Sequence, residues 1–242
     1  MAKQKVLIIK TGYSEFLVEG DSQKVSLGDI LRTTPLLHHY SDNEVTWLTD
    51  HYALPLLEGN NLINHILVLD FPNAMKLQSE QFDTIVNLEK NQDICQLAQS
   101  IEAWRRFGFR LDRESRKVQA YDRAFDVLAV TTTSELKKNN RRTTQELLFE
   151  LVGAKWNGEE YVLGHHPSTM VQYDVALNTI VGTKWPTKIW PSVYWDGLEQ
   201  RLMDDGLAVT RQDKQDKEVL SSIPSYIDWI NSSRIIVSSD SL

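Results

Sequence analysis

Apolar residues in this chain come in short continuous blocks separated by stretches of helical spacing. Val6, Leu7, Ile8 and Ile9 are an unbroken apolar run, as are Ile66, Leu67, Val68 and Leu69, and the blocks at 45–48 and 84–88 are broken only by Thr46, Thr84 and Asn87. Continuous rather than alternating hydrophobicity predicts strands buried on both faces, as in a parallel sheet. Between the blocks, apolar positions spaced by three and four predict helices over 30–40, 52–58 and 92–107. This strand–helix–strand order predicts a Rossmann-like domain, completed by a strand at 127–130 and a helix at 143–152. Leu163, Gly164, His165, His166, Pro167 and Ser168 read as a turn-rich linker. The alternation then restarts, with strands at 175–181, 207–210 and 235–238 and helices at 193–204 and 226–231, the first of these helices closed by Gly206. The expected fold is therefore α/β with two Rossmann-like domains and parallel sheets. The first spans 1–163 and the second 168–242, which is short for a whole domain and is expected to be incomplete.

Composition narrows the classes. The 242 residues are 41% hydrophobic, enough for two cores, and no unbroken apolar run exceeds four residues, where about 20 are needed to cross a bilayer. The start, Met1-Ala2-Lys3-Gln4-Lys5, leads into a strand without a small-residue cleavage site, so a cytoplasmic protein is expected. The single cysteine, Cys95, lies at helical spacing among Ile94, Leu97 and Ala98 and reads as core. A net charge of -7 argues against nucleic acid as a partner. Charge is uneven, however, with eleven basic side chains against six acidic ones between residues 101 and 142. Arg105 and Arg106 head this segment, which is either an anion-facing surface or a solvated helix face.

Two constellations carry candidate chemistry. Ser26-Leu27-Gly28-Asp29 follows the first strand and opens the next helix, where the carboxyl edge of an open α/β sheet binds ligands. Ser26 with Asp29 three residues later is equally a capping box, its carboxylate suited to the helix dipole. The preceding connection, 11–25, is far longer than the ~2–6 residues usual there and holds Gly12, Tyr13, Phe16 and Gly20, the makings of a lid. The second constellation runs over 182–191, Gly-Thr-Lys-Trp-Pro-Thr-Lys-Ile-Trp-Pro, after the strand that opens the second domain. Gly182 allows close backbone approach, Thr183 and Thr187 offer hydroxyls, and Lys184 and Lys188 offer charge, all suited to a diphosphate. Pro191 would start a helix aimed at the same place. A structured basic turn with packed tryptophans is the plainer reading of the same residues.

Taken together in order, Lys5-Val6-Leu7-Ile8-Ile9-Lys10, Ser26-Leu27-Gly28-Asp29 with Thr33-Thr34-Pro35-Leu36-Leu37, Val45-Thr46-Trp47-Leu48, Leu56-Leu57-Glu58-Gly59-Asn60, Lys188-Ile189-Trp190-Pro191 and terminal Asp240-Ser241 resemble the heptosyltransferase family of ADP-heptose-dependent lipopolysaccharide glycosyltransferases. The resemblance implies a GT-B architecture with an acceptor-binding N-terminal domain and a nucleotide-sugar-binding C-terminal domain. It implies transfer with inversion and no obligatory metal or cofactor, the nucleotide sugar, ADP-heptose, being a substrate. Asp29 matches the family's general base and Lys188 the lysine that stabilises the departing diphosphate. Thr183 matches a phosphate-binding threonine, with Gly182 and Thr187 beside it, while Asp240 and Ser241 match the opening of a donor-binding motif. Gly28, Arg105 and Arg106 are assigned to the acceptor. The implied partners are the donor and a saccharide or glycolipid acceptor such as lipopolysaccharide core, with a peripheral contact at the inner face of the inner membrane. Lys184 and the long 11–25 loop depart from the pattern, and the sequence stops before the terminal motif's glycine and histidine. The competing expectation is a non-catalytic sugar- or partner-binding remnant of the same family, and a third is an unrelated nucleotide-binding α/β protein.

Overall fold

The computed structural model describes residues 3–13, 25–181, 186–216 and 220–239, without the side chain of Asp122. The chain divides into two compact units, Met1–Gly164 and His165–Leu242.

The first unit opens with β1 (Lys5–Ile9), followed by α1 (Leu27–Thr33), α2 (Leu36–His39) and β2 (Glu44–Thr49). Next come α3 (Leu54–Leu57), β3 (His65–Val68), α4 (Phe71–Gln78), β4 (Gln81–Asn87) and α5 (Gln92–Ser100). The unit closes with β5 (Glu102–Leu111), β6 (Val118–Ala120), α6 (Phe125–Thr132), α7 (Ser134–Asn139) and α8 (Thr144–Leu151). The strands lie in the order β3-β2-β1-β4-β5-β6, parallel except for the antiparallel β5–β6 pair. The apolar block at 6–9 is buried throughout because β1 is central and covered on both faces. Leu7 and Ile9 pack with Leu48, Leu77, Phe82, Ile85, Ile94, Ala98 and Ile101. Each such aliphatic side chain contributes about 1.5–3 kcal/mol by leaving water. α8 is started by a full capping box, Thr143 Oγ1 accepting the Glu146 N–H at 3.2 Å and Glu146 accepting the Thr143 N–H at 2.6 Å, and it packs against α1 and α2. Cys95 is buried, and burial pushes its thiol up to about 11, beyond the nucleophilic range.

Two expectations fail in this unit. The helix expected over 92–107 ends at Ser100, and β5 takes the remainder as a sheet partner of β4. The strand expected at 127–130 is the middle of α6, because β6, not this segment, occupies the outer edge of the sheet. β5 pairs with β4 as far as Gly108, which has φ +90°, and a Cβ there would sit 1.9 Å from the Asn87 carbonyl oxygen. Only glycine fits. Gly108→Ala is expected to cost several kcal/mol, the sum of left-handed strain and a backbone clash, read as a lower midpoint in urea unfolding.

The second unit holds β7 (Tyr173–Asn178), α9 (Ser192–Asp204), β8 (Val209–Arg211), α10 (Ile223–Asn231) and β9 (Ser233–Ser238). Its described sheet is parallel, in the order β8-β7-β9. Val175, Leu177 and Trp195 form its core, with Leu198, Leu202, Val209 and Val237 against them. Ser222 and Ser225 cap α10 reciprocally, and Pro224 sits in its first turn, where a missing N–H costs nothing. Among the described helices none is long and apolar enough to cross a membrane.

Candidate functional site

The strand order makes the gap between the carboxyl ends of β1 and β4 the point where the chain's winding reverses, the place where open α/β sheets bind ligands. Glu89, just beyond β4, fills that gap and is 1% exposed. Its Oε1 accepts the Thr11 N–H at 2.6 Å, the Thr11 hydroxyl at 3.0 Å and the Gly12 N–H at 2.8 Å, and lies 3.3 Å from Lys10 Nζ. From the other side, the fully buried Trp47 donates Nε1–H to the Lys10 carbonyl at 3.2 Å. The three residues leaving β1 are thus held by a buried carboxylate and an indole.

That anchoring reaches Asp29 through two hydrogen bonds. The Gly12 carbonyl accepts the Ser26 N–H at 2.8 Å, and Ser26 is the cap of α1, its Oγ accepting the Asp29 N–H at 3.4 Å. A complete capping box would place the Asp29 carboxylate on the Ser26 N–H, but that donor is committed to Gly12. The carboxylate instead stands in the first turn of α1, 45% exposed, with Oδ1 3.4 Å from Arg32 Nη2. Arg32 in turn donates Nε–H to the Gly28 carbonyl at 3.1 Å, so Gly28 belongs to the support of Asp29. Ser26 thus caps the helix, while the Asp29 carboxylate lies beside Arg32, partly exposed.

Other polar groups share this edge. Tyr13 donates its hydroxyl to Asp50 Oδ2 at 2.8 Å, and burial together with that bond raises its pKa well above the ordinary phenol value. Asp50 also accepts the Tyr52 N–H at 2.9 Å, starting the turn after β2. Tyr52 and Phe71, which follow β2 and β3, are both largely exposed.

In the second unit, Thr187 and Lys188 sit in the 3₁₀ turn Pro186–Lys188 that precedes α9. Pro191 takes the cap position of α9 without a side-chain cap. Trp190 stacks on Tyr194, ring centroids 5.6 Å apart, and meets Trp195 edge-on at 4.7 Å, which fixes the chain between Lys188 and the helix. Arg211 at the end of β8 holds α9 in place. Its guanidinium, 3% exposed, makes a forked bond to Asp213 at 2.7 and 3.0 Å and reaches Asp196 and Glu199 of α9 at 2.5 and 3.0 Å. Burial alone would weaken its hold on the proton, and the hydrogen bonds to three carboxylates outweigh that. At the carboxyl ends of β7 and β9, Asn178 donates Nδ2–H to Ser238 Oγ at 3.1 Å, while Asn178 Oδ1 and Ser239 Oγ are buried without a hydrogen-bond partner among the described residues.

Of the residues singled out from sequence, Gly182, Thr183, Lys184, Asp240 and Ser241 lie outside the described residues, as does most of the 11–25 loop. Arg105 and Arg106 fall in the amino-terminal half of β5, in register with Thr84 and Ile85 and, through β4, with Val6 and Leu7 in the first half and middle of β1. Arg105 donates to Gln4 Oε1 at 3.0 Å, and Arg106 donates to the carbonyls of Ala98, at 2.6 Å, and Ile101. Arg106 satisfies the open carbonyls at the end of α5. Parallel register carries both arginines away from the edge that bears Asp29, so they do not join it. Glu89 and Arg211 were not anticipated. Glu89's signal is a charged residue directly after an apolar run. Among the described residues no three His, Cys, Asp or Glu side chains are grouped to hold a metal ion.

No family model and no curated protein matches the chain. Solved structures do. The Escherichia coli heptosyltransferase WaaC with ADP superposes with a TM-score of 0.62 at 12% identity, covering 97% of this chain and 81% of that one. E. coli ADP-heptose LPS heptosyltransferase II gives 0.60 at 13%, covering 98% and 79%. A family 9 glycosyl transferase from Veillonella parvula gives 0.54 at 14%, covering 100% and 71%. The chain therefore has the α/β fold of these glycosyltransferases.

Proposed function

We propose that this protein is an inverting glycosyltransferase that moves a heptose from ADP-heptose to a saccharide acceptor such as lipopolysaccharide core. The observation that carries this reading is the Asp29 carboxylate, exposed at the carboxyl edge of the first sheet and excluded from capping its own helix by the Gly12–Ser26 bond. The fold of ADP- and ADP-sugar-bound heptosyltransferases supports the donor.

In the proposed reaction the acceptor hydroxyl gives its proton to an Asp29 oxygen as its own oxygen forms a bond to the anomeric carbon. The bond from that carbon to the diphosphate oxygen breaks on the opposite face, and its electron pair leaves with ADP. One base suffices because the diphosphate is a good leaving group. Lys188 would stabilise the charge that develops on the departing oxygen, with Gly182, Thr183, Thr187, Asp240 and Ser241 around the diphosphate and nucleotide. Arg32 and Gly28 orient the base. Working on such substrates, the enzyme would act in the cytoplasm at the inner face of the inner membrane.

Calorimetric titration with ADP-heptose, and with a UDP-sugar as comparison, tests the assignment, and binding of neither would overturn it. Lys188→Ala is expected to lower kcat/KM by about 10- to 1000-fold, the range for removing one group that meets developing charge. Unchanged kinetics would remove Lys188 from the site.

A further inference from the structure

The most basic part of the chain, which the transfer reading leaves unused, builds a pocket of its own. Beyond Gly108, β5 turns away from β4 and over the end of α5, where the Leu111 N–H donates to Gln99 Oε1 at 2.8 Å. The bend shapes an open, shallow cavity of about 390 Å³ lined by Gln99, Arg106, Arg110, Leu111, Asp112, Arg113, Glu114 and Tyr121. We propose that this cavity is a binding site for a phosphate monoester, independent of the transfer chemistry.

Three guanidinium groups meet there, and two are held in place by the fold. Arg106 is anchored on the carbonyls of Ala98 and Ile101. Arg110 lies over the Tyr121 ring, 5.8 Å from its centroid, and is steadied by Nη2–H donation to Gln119 Oε1 at 2.9 Å. Each of these anchors engages only part of a five-donor fork, so further N–H groups remain for a ligand. Arg113, in the β5–β6 turn, has neither a hydrogen-bond nor an ion-pair partner among the described residues. Of the two acids in the lining, Asp112 is spent on the turn, its Oδ1 accepting the Ser115 N–H at 2.7 Å and the Ser115 hydroxyl at 2.6 Å. Those bonds hold its carboxyl below the usual range. Three permanent cations against Asp112 and Glu114 leave a local excess of positive charge in a protein whose net charge is -7. Guanidinium forks match phosphate oxygens in pairs, and the half-buried Tyr121 stands among them as part of the wall. The cavity is of small-molecule size.

The phosphate could be borne by a soluble sugar or by a lipid headgroup, and the test separates the two. The full chain is titrated at low salt with glucose 6-phosphate, glucose, inorganic phosphate, and phosphatidylcholine vesicles containing phosphatidic acid. Binding of glucose 6-phosphate at least tenfold tighter than glucose is expected for a soluble source, and binding to the acidic vesicles alone for a lipid source. Arg113→Gln should weaken whichever is bound by fivefold or more without changing Tm, since Arg113 is exposed on a turn. Arg110→Gln should weaken it further, and Arg201→Gln on α9 should leave it unchanged. Binding of none of the phosphates, equal binding of glucose, or full affinity in Arg113→Gln would overturn the proposal.

Discussion

Asp29→Asn is expected to lower sugar transfer by about 10²- to 10⁴-fold, the contribution of a positioned general base, while donor affinity stays nearly constant. The amide keeps the shape and the helix but cannot take the acceptor's proton. Ser26→Ala is the matching control, because Ser26 caps α1 through the Asp29 N–H. Its loss should cost about 1 kcal/mol of stability with a much smaller effect on transfer. Transfer by Asp29→Asn within a few-fold of wild type would mean that the carboxylate has only a structural role. Product formation from ADP-heptose, read beside calorimetric donor binding, distinguishes the two outcomes.

The largest expected stability effect belongs to Glu89→Ala. Removing the carboxylate leaves Lys10, 8% exposed, without its counter-ion and takes the acceptor from two backbone N–H groups and a threonine hydroxyl. Loss of one partner of a buried pair costs about 3–5 kcal/mol, which urea unfolding would register as a large drop in midpoint. Glu89→Gln keeps an oxygen for Thr11 and Gly12 and should recover part of that loss. Because Gly12 also holds Ser26, the glutamine variant should reduce turnover more than donor binding. A midpoint within 1 kcal/mol of wild type for Glu89→Ala would contradict the clamp.

Much of this arrangement is legible in the sequence because central parallel strands leave little ambiguity. The blocks at 6–9 and 45–48 are buried on both faces, and both were read as strands from their apolar content. Legibility fails where one period runs across a boundary. Ile94, Ala98 and Ile101 continue at helical spacing into Trp104 and Arg105, so nothing local marks the switch from α5 to β5. The switch comes from pairing with β4, a tertiary effect. Val127, Leu128, Ala129 and Val130 illustrate the opposite failure, since a run of four apolar residues fits a strand or a half-buried helix equally. Asp29 was singled out by its position after the first strand, while the commitment of the Ser26 N–H to the Gly12 carbonyl is a tertiary bond that no local pattern announces. Glu89 escaped notice because a lone acid after a strand normally points to water, and here three donors and a lysine converge on it.

The Gly12–Ser26 bond has one more consequence. It joins the two ends of the connection directly, as a clasp joins the ends of a strap, so the start of α1 is tied to the end of β1. Because the cost of closing a loop grows only slowly with its length, a change in the number of residues between Tyr13 and Val25 is expected to leave the carboxylate in place. Under the proposed transfer, acceptor preference and reaction chemistry would then be separable, one carboxylate serving different partners by replacement of one cassette.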